Sequence, residues 1–247
     1  MTWFAIAASL MVGITVVGAD AADMYEWHSL VAAPGKLDEL HARLRDRVLP
    51  AVDDPDRRTV AVLTPAGENA DGVVHLVVAG DRAGGQFATE AEWPAWLADG
   101  EARPPIATHR SVQRLRTTAW SPNLVPTQAA APRVFELRTY TSPDARRREA
   151  LLTRFERHTM SLFTRHGMTN VIYWTPIDGP DAETMLVYLL AHDSQEAAKA
   201  SFDAFRKDPE WVAAKTASEA AAGGSLTIKE KGVISQFLMP AAYSPLR

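Results

Sequence analysis

Two stretches of this chain are versions of one another, and that repetition constrains the fold more than any other feature of the sequence. MYEWHSLV (Met24 to Val31) lies over VFELRTYT (Val134 to Thr141), with the aromatic and the glutamate coinciding. LHARLRDRVLP then falls on LLTRFERHTMS, placing Leu40 on Leu151 and Leu44 on Phe155. VAVLTP (Val60 to Pro65) falls on VIYWTP (Val171 to Pro176), and VVHLVVAGD ending at Asp81 on MLVYLLAHD ending at Asp193. Trp93-Pro94-Ala95-Trp96 matches Asp208-Pro209-Glu210-Trp211, and Gln113, Leu115 and Trp120-Ser121-Pro122 match Gln236, Leu238 and Tyr243-Ser244-Pro245. Six blocks in one order divide the chain into a first copy over 23–124, a linker over 125–132 and a second copy over 133–247.

Each block has a readable secondary structure. VFELRTY alternates with period two and is rich in aromatic and β-branched residues, which predicts a strand. Leu151, Leu152, Phe155, Leu162 and Phe163 recur at helical spacing, with Ser142-Pro143 as an N-terminal signal and Gly167 as the stop. NVIYWTP and ETMLVYLLA read as strands, and Ser194 to about Ala221 as a helix broken at Asp208-Pro209. A last strand is expected within Thr227 to Leu238. The order is βαββαβ, twice. Such a unit makes an antiparallel sheet with helices on one face, and its other face must be covered. The expected fold class is therefore α+β: two tandem ferredoxin-like βαββαβ repeats packed sheet to sheet as a barrel within one chain.

Composition excludes some functions and leaves others open. With 47% hydrophobic and 23% charged residues, the 247-residue chain can bury a real core. A net charge of −4 with no basic stripe gives no support for a nucleic-acid partner. The absence of cysteine excludes disulfides and thiolate sites and leaves the redox compartment undecided. Trp3 to Gly18 carries no charge and is followed by Ala19-Asp20-Ala21, small residues suited to a cleavage site. Residues 1–22 thus read as a signal peptide, too short for a comfortable membrane span. An exported protein, periplasmic or extracellular, is expected, with no stable membrane span once the signal is removed. If Met24 is the true start, the protein is cytoplasmic.

The second copy carries Glu136-Leu137-Arg138-Thr139-Tyr140-Thr141, Arg157-His158-Thr159 and His166-Gly167-Met168. Tyr173-Trp174-Thr175-Pro176, Leu186 to His192, Phe205 to Trp211 and Tyr243-Ser244-Pro245 follow in order. On these residues it resembles the NIPSNAP family. The first copy is degenerate, with His28 where the second has Arg138, Leu30 for Tyr140 and Arg47 for His158. The resemblance implies a dimeric α+β barrel and little more: members are associated mainly with binding, trafficking and protein contacts and have no agreed catalytic residues or substrate. No cofactor is expected.

Side chains at i, i+2 and i+4 of a strand share a face. Glu136, Arg138 and Tyr140 therefore point one way and Phe135, Leu137 and Thr139 the other, with Glu26 and His28 equivalent in the first copy. If the apolar set meets the helices, the charged set lies between the sheets. There Arg138 could bind an anionic or carbonyl oxygen while Glu136, His28 or Tyr140 moves a proton. The plainer reading is a buried ion pair that sets how the halves register. His158, Trp174 and Tyr188 complete the candidate binding set, although aromatic strand residues are normally core. No histidine stands at metal-ligand spacing from another, so no metal site is expected. Asp208-Pro209-Glu210-Trp211 reads as a helix start. The expected function is binding of a small apolar or anionic molecule or a protein partner, with homo-oligomers open. The alternative is a cofactor-independent monooxygenase or isomerase acting inside the barrel.

Overall fold

A strand buried on both faces must find two apolar environments, and the repeated strands here find them on either side of one closed sheet. A computed structural model describes residues 24–53, 57–67, 71–80, 97, 105–124 and 133–247. The proposed export signal, the Trp93 to Trp96 block and the linker over 125–132 lie outside these residues. The first half supplies β1 (Met24–Ala32), β2 (Arg57–Pro65), β3 (Val73–Gly80) and β4 (Ala107–Thr117). The second supplies β5 (Val134–Thr141), β6 (Thr169–Pro176), β7 (Met185–His192) and β8 (Val233–Pro240). They form a closed eight-stranded barrel in the order β1-β3-β2-β8-β5-β7-β6-β4, every pairing antiparallel. The halves meet through their sheet edges, β2 with β8 and β4 with β6, over three residue pairs at each seam.

Three apolar cores follow from this closure. The inner one draws Tyr25, Leu63, Val77, Leu115, Phe135, Trp174, Val187 and Leu238 from the eight strands in turn and includes no residue of a helix. The other two lie outside the sheet. Leu30, Leu76 and Val78 pack under α1 (Leu37–Arg43) with Leu40, Leu44 and Val48. Tyr173, Leu186, Tyr188 and Leu190 pack under the helices of the second half with Leu151, Phe155, Phe163, Phe202 and Phe205.

The first helix of each half is interrupted at the same place. After α1 the chain takes a π-helical turn over Leu44–Val48, with the Leu49 N–H bonded to the Leu44 carbonyl, and resumes as α2 (Leu49–Val52). After α3 (Ala145–Arg154) it does so over Phe155–Thr159, with the Met160 N–H on the Phe155 carbonyl, and resumes as α4 (Met160–Arg165). Leu44 and Phe155 are the pair that the repeat places together. π turns are rare and cluster at functional positions, so finding one at equivalent places in both halves sets each helix in the same way.

Chain signals for the helix ends are mostly realised, with one shift. Asp208 caps α6 (Pro209–Ala222) by accepting from the Glu210 N–H at 2.9 Å, with Pro209 at the first turn. Ser194 caps α5 (Gln195–Phe205) by accepting from Ala197 at 3.1 Å. The cap of α3 is Asp144, which accepts from Arg147 at 2.8 Å, and not Ser142. Ser142 is buried where β5 ends, and its N–H donates to the Thr184 carbonyl instead. No helix among the described residues is long and apolar enough to cross a membrane.

Candidate functional site

Strand alternation brings Glu136, Arg138, Tyr140 and Tyr188 together, on the face opposite to the expected one. Phe135 and Leu137 fill the barrel, while Arg138 lies over the Phe202 ring of α5, 4.4 Å from its centroid. Tyr140 packs edge-on against Phe155. The charged set therefore sits under the helix layer, and the expectation of a polar pocket lined by it inside the barrel is overturned. The physical reason is desolvation. The interior is filled by buried apolar side chains such as Phe135, Trp174, Val187 and Leu238, whereas this sheet face borders solvent beside β8, where Ser235 is exposed and the Arg138 side chain keeps 12% of its surface. A charge costs less to place there.

The cluster is well satisfied. Arg138 donates to Glu136 Oε1, to the Tyr188 hydroxyl at 3.0 Å and to the Tyr140 hydroxyl at 3.2 Å. Ser235 donates to Glu136 Oε1, and His192 Nε2 lies 3.0 Å from Glu136 Oε2. Burial alone would push the Glu136 carboxyl up, but His192, the Arg138 charge and Ser235 together hold it below the usual carboxylate range. Burial also pushes the Tyr188 phenol well up and keeps it neutral. His192 and Ser235 were missed as partners of Glu136. Register supplies the clue for His192: it pairs with Val134, two residues from Glu136 on the same face.

The first half has a lesser version. His28 Nε2 lies 2.9 Å from Glu26 Oε2, His28 Nδ1 lies 3.1 Å from His109 Nε2, and Arg114 reaches Glu26 at 3.4 Å. Glu26 and His28 share the helix-covered face with Leu30. Trp174 is on the opposite face, in the barrel interior, edge-on to Tyr25 and Trp27. That interior also holds a histidine no motif pointed to: Trp27 Nε1 donates to His75 Nδ1 at 3.1 Å. Among the described residues no group of three or more His, Asp or Glu could hold a metal ion.

His158 stands apart from all of these, in a groove of 470 Å³ between α3 and α6. Its apolar lining is Ala150, Ala214, Ala217, Ala221 and Ala222, of which Ala222 is buried and Ala217 and Ala221 are exposed. Its polar lining is Thr153 and Ser218 with the basic residues Arg146, Arg154, Arg157 and His158. Arg157 and His158 belong to the π turn, and their side chains make no hydrogen bond or ion pair among the described residues. Arg154, at the last residue of α3, is 5% exposed. It lies 3.8 Å from Glu219, 3.3 Å from the Ser218 hydroxyl and 5.0 Å from the centre of the Trp211 ring. Its Nε is buried with no partner. The clue in the sequence was Arg43, which falls on Arg154 at the offset that places Leu40 on Leu151 and is itself buried.

A closed antiparallel barrel with helices outside and its polar groups under them defines a mixed α+β barrel protein of the dimeric α+β barrel type. Within it, residues 135–245 match the NIPSNAP family model. None of the curated proteins matches the chain at a significant level. Among solved structures, a NIPSNAP family protein of unknown function from Agrobacterium tumefaciens is 18% identical, covering 49% of this chain and 98% of its own, with a TM-score of 0.39. An anthrone oxidase-like protein is 11% identical over 93% of this chain and 96% of its own, with a TM-score of 0.52. A Fusobacterium nucleatum protein provisionally named a monooxygenase is 8% identical over 90% and 93%, with a TM-score of 0.53. At these identities the last two show a shared fold.

Proposed function

We propose that this chain is a binding protein built from two ferredoxin-like repeats, exported as its N-terminal segment implies, and that it takes a small, partly apolar molecule in the groove between α3 and α6. One observation carries the reading: a concave site of 470 Å³, within the range of small-molecule pockets, lined by alanines from both helices and by basic residues from α3 and the π turn after it. The order of strands within each half, fourth, first, third, second, and the paired π turns support the repeat. A protein partner has less to hold. Of the exposed large apolar residues among those described, Val212 is on a helix, while Ile228, Val233 and Ile234 lie in and before β8.

The rival reading, an oxygenase or isomerase working with Glu136, Arg138, Tyr140 or His28, draws on the names of the two barrel relatives. Its acid–base groups are already engaged by protein partners, Glu136 by Arg138, Ser235 and His192, and His28 by Glu26. The test is native mass spectrometry of protein purified from its own host. A retained small molecule is expected in the wild type and in Arg138→Met, and lost in Ala217→Trp, which fills the groove. Arg138→Met should instead cost about 3–5 kcal/mol in urea denaturation, the usual result of leaving half of a buried ion pair. Retention by Ala217→Trp, or loss in a folded Arg138→Met, would move the site to the polar cluster.

A further inference from the structure

A buried guanidinium is costly unless its charge is met, and Arg154 is met poorly. Its one carboxylate neighbour, Glu219, stands at 3.8 Å, the long limit of an ion pair, and its Nε has no acceptor although the side chain is 95% buried. Burial pulls its pKa down more than Glu219 raises it, as expected of an undercompensated charge. Arg157 and His158 lie within one turn of it on the same rim. Two guanidiniums and an imidazole thus gather at one end of the groove, where Glu219 is the carboxylate paired with Arg154. Toward the other end, the wall is Ala150, Ala217, Ala221 and Ala222, methyl groups with no ring for a base or other aromatic ligand to stack on. Only Arg146 is polar there, and it already donates to the Ala221 carbonyl.

We propose that the groove binds a single-chain amphiphile with a carboxylate head, the head on Arg154, Arg157 and His158 and the chain along the alanines. This rests on the groove being the ligand seat and goes on to name the ligand's chemistry. The head supplies the acceptor that Arg154 Nε lacks, in the charge-assisted and bidentate geometry that guanidinium favours. The chain needs a channel of small side chains, and the facing helices provide alanines together with Thr153 and Ser218, whose hydroxyls donate to the Glu149 and Lys215 carbonyls. The first half carries Arg43 and Arg47 at the positions of Arg154 and His158, so a pair of basic residue types about the π turn recurs in both halves.

The test is isothermal titration calorimetry of the full chain with decanoate, decan-1-ol and decyltrimethylammonium, each below its micelle concentration. Decanoate should bind about tenfold or more tighter than decanol, the scale of one charge-assisted hydrogen bond, and the ammonium should bind weakest. The preference should shrink severalfold in Arg157→Ala/His158→Ala, which alters exposed or half-buried groups and leaves folding intact, and vanish in Arg154→Leu. Equal binding of decanoate and decanol would overturn the carboxylate assignment and leave the groove standing. No decanoate binding beside a host molecule retained by native mass spectrometry would overturn the ligand class alone. Neither binding nor retention would overturn both. Decanoate affinity unchanged by Ala217→Trp would place its site elsewhere and overturn the proposal.

Discussion

At the scale of single residues, the two faces of one strand set opposite chemical problems. Glu136 and Arg138 survive burial because Ser235, His192, Tyr188 and Tyr140 satisfy them and because their edge touches water. His75 has the harder position, inside the barrel with Trp27. There the Trp27 N–H on Nδ1 requires the neutral ring to carry its proton on Nε2, which is buried without a partner. Burial pushes the His75 pKa down to about 4, whereas an unfolded histidine titrates near 6.5. Between those values the unfolded chain binds a proton that the native state refuses. Stability is therefore complete above about pH 6.5 and drains as pH falls toward 4, by roughly 3 kcal/mol at the limit. Glu136 acts lower: its depressed pKa adds stability that is lost only below about pH 4.3. His75→Leu should flatten the dependence of the urea midpoint between pH 7 and pH 5. A slope equal to that of the wild type would place the acid sensitivity in another group.

At the scale of elements, capping and π turns decide where helices point. Asp208 does two tasks, accepting from the Glu210 N–H that begins α6 and lying 2.8 Å from His166 Nε2 at the end of α4. The cap was legible from Asp-Pro-Glu-Trp alone because it needs only neighbours in sequence. The contact with His166 was not, because it joins helix ends from two elements. Asp208→Ala should cost about 1–2 kcal/mol and fray the first turn of α6. Amide exchange over residues 210–213 reads this directly, and protection equal to the wild type would refute the cap. The π turns were illegible for a different reason: the inserted residue turns later side chains round the axis, but Leu162 and Phe163 are adjacent and both buried, so an ordinary helix fits Leu151, Phe155 and Leu162 equally well.

At the scale of the molecule, each half is a sheet with helices outside and an apolar face inside, and neither face survives alone. Residues 133–247 by themselves would present Phe135, Leu137, Trp174, Val187, Leu189 and Leu238 to water. An exposed patch of that kind drives association. The isolated second half should therefore run as a dimer or larger by light scattering, while the full chain needs no second copy to close its barrel. A stable, monodisperse monomer of the half would show that the interior core contributes little to holding the barrel shut.

The sequence by itself determined most of the strands and helices, the family that residues 135–245 match and the strand residues that share a face. These follow from local stereochemistry and from patterns that survive duplication. It did not determine which face looks inward, since strands apolar on both sides have no preferred orientation until a second layer exists. Nor did it determine the groove, because Arg154 and Ala217 meet only when α3 and α6 are laid side by side. The tertiary structure decided both, by closing the sheet edges of one half on those of the other. Closure packs the interior with apolar side chains that would leave a charge unpaired, and the carboxylate and the guanidinium lie on the outer face, where Ser235, His192, Tyr140 and Tyr188 meet them.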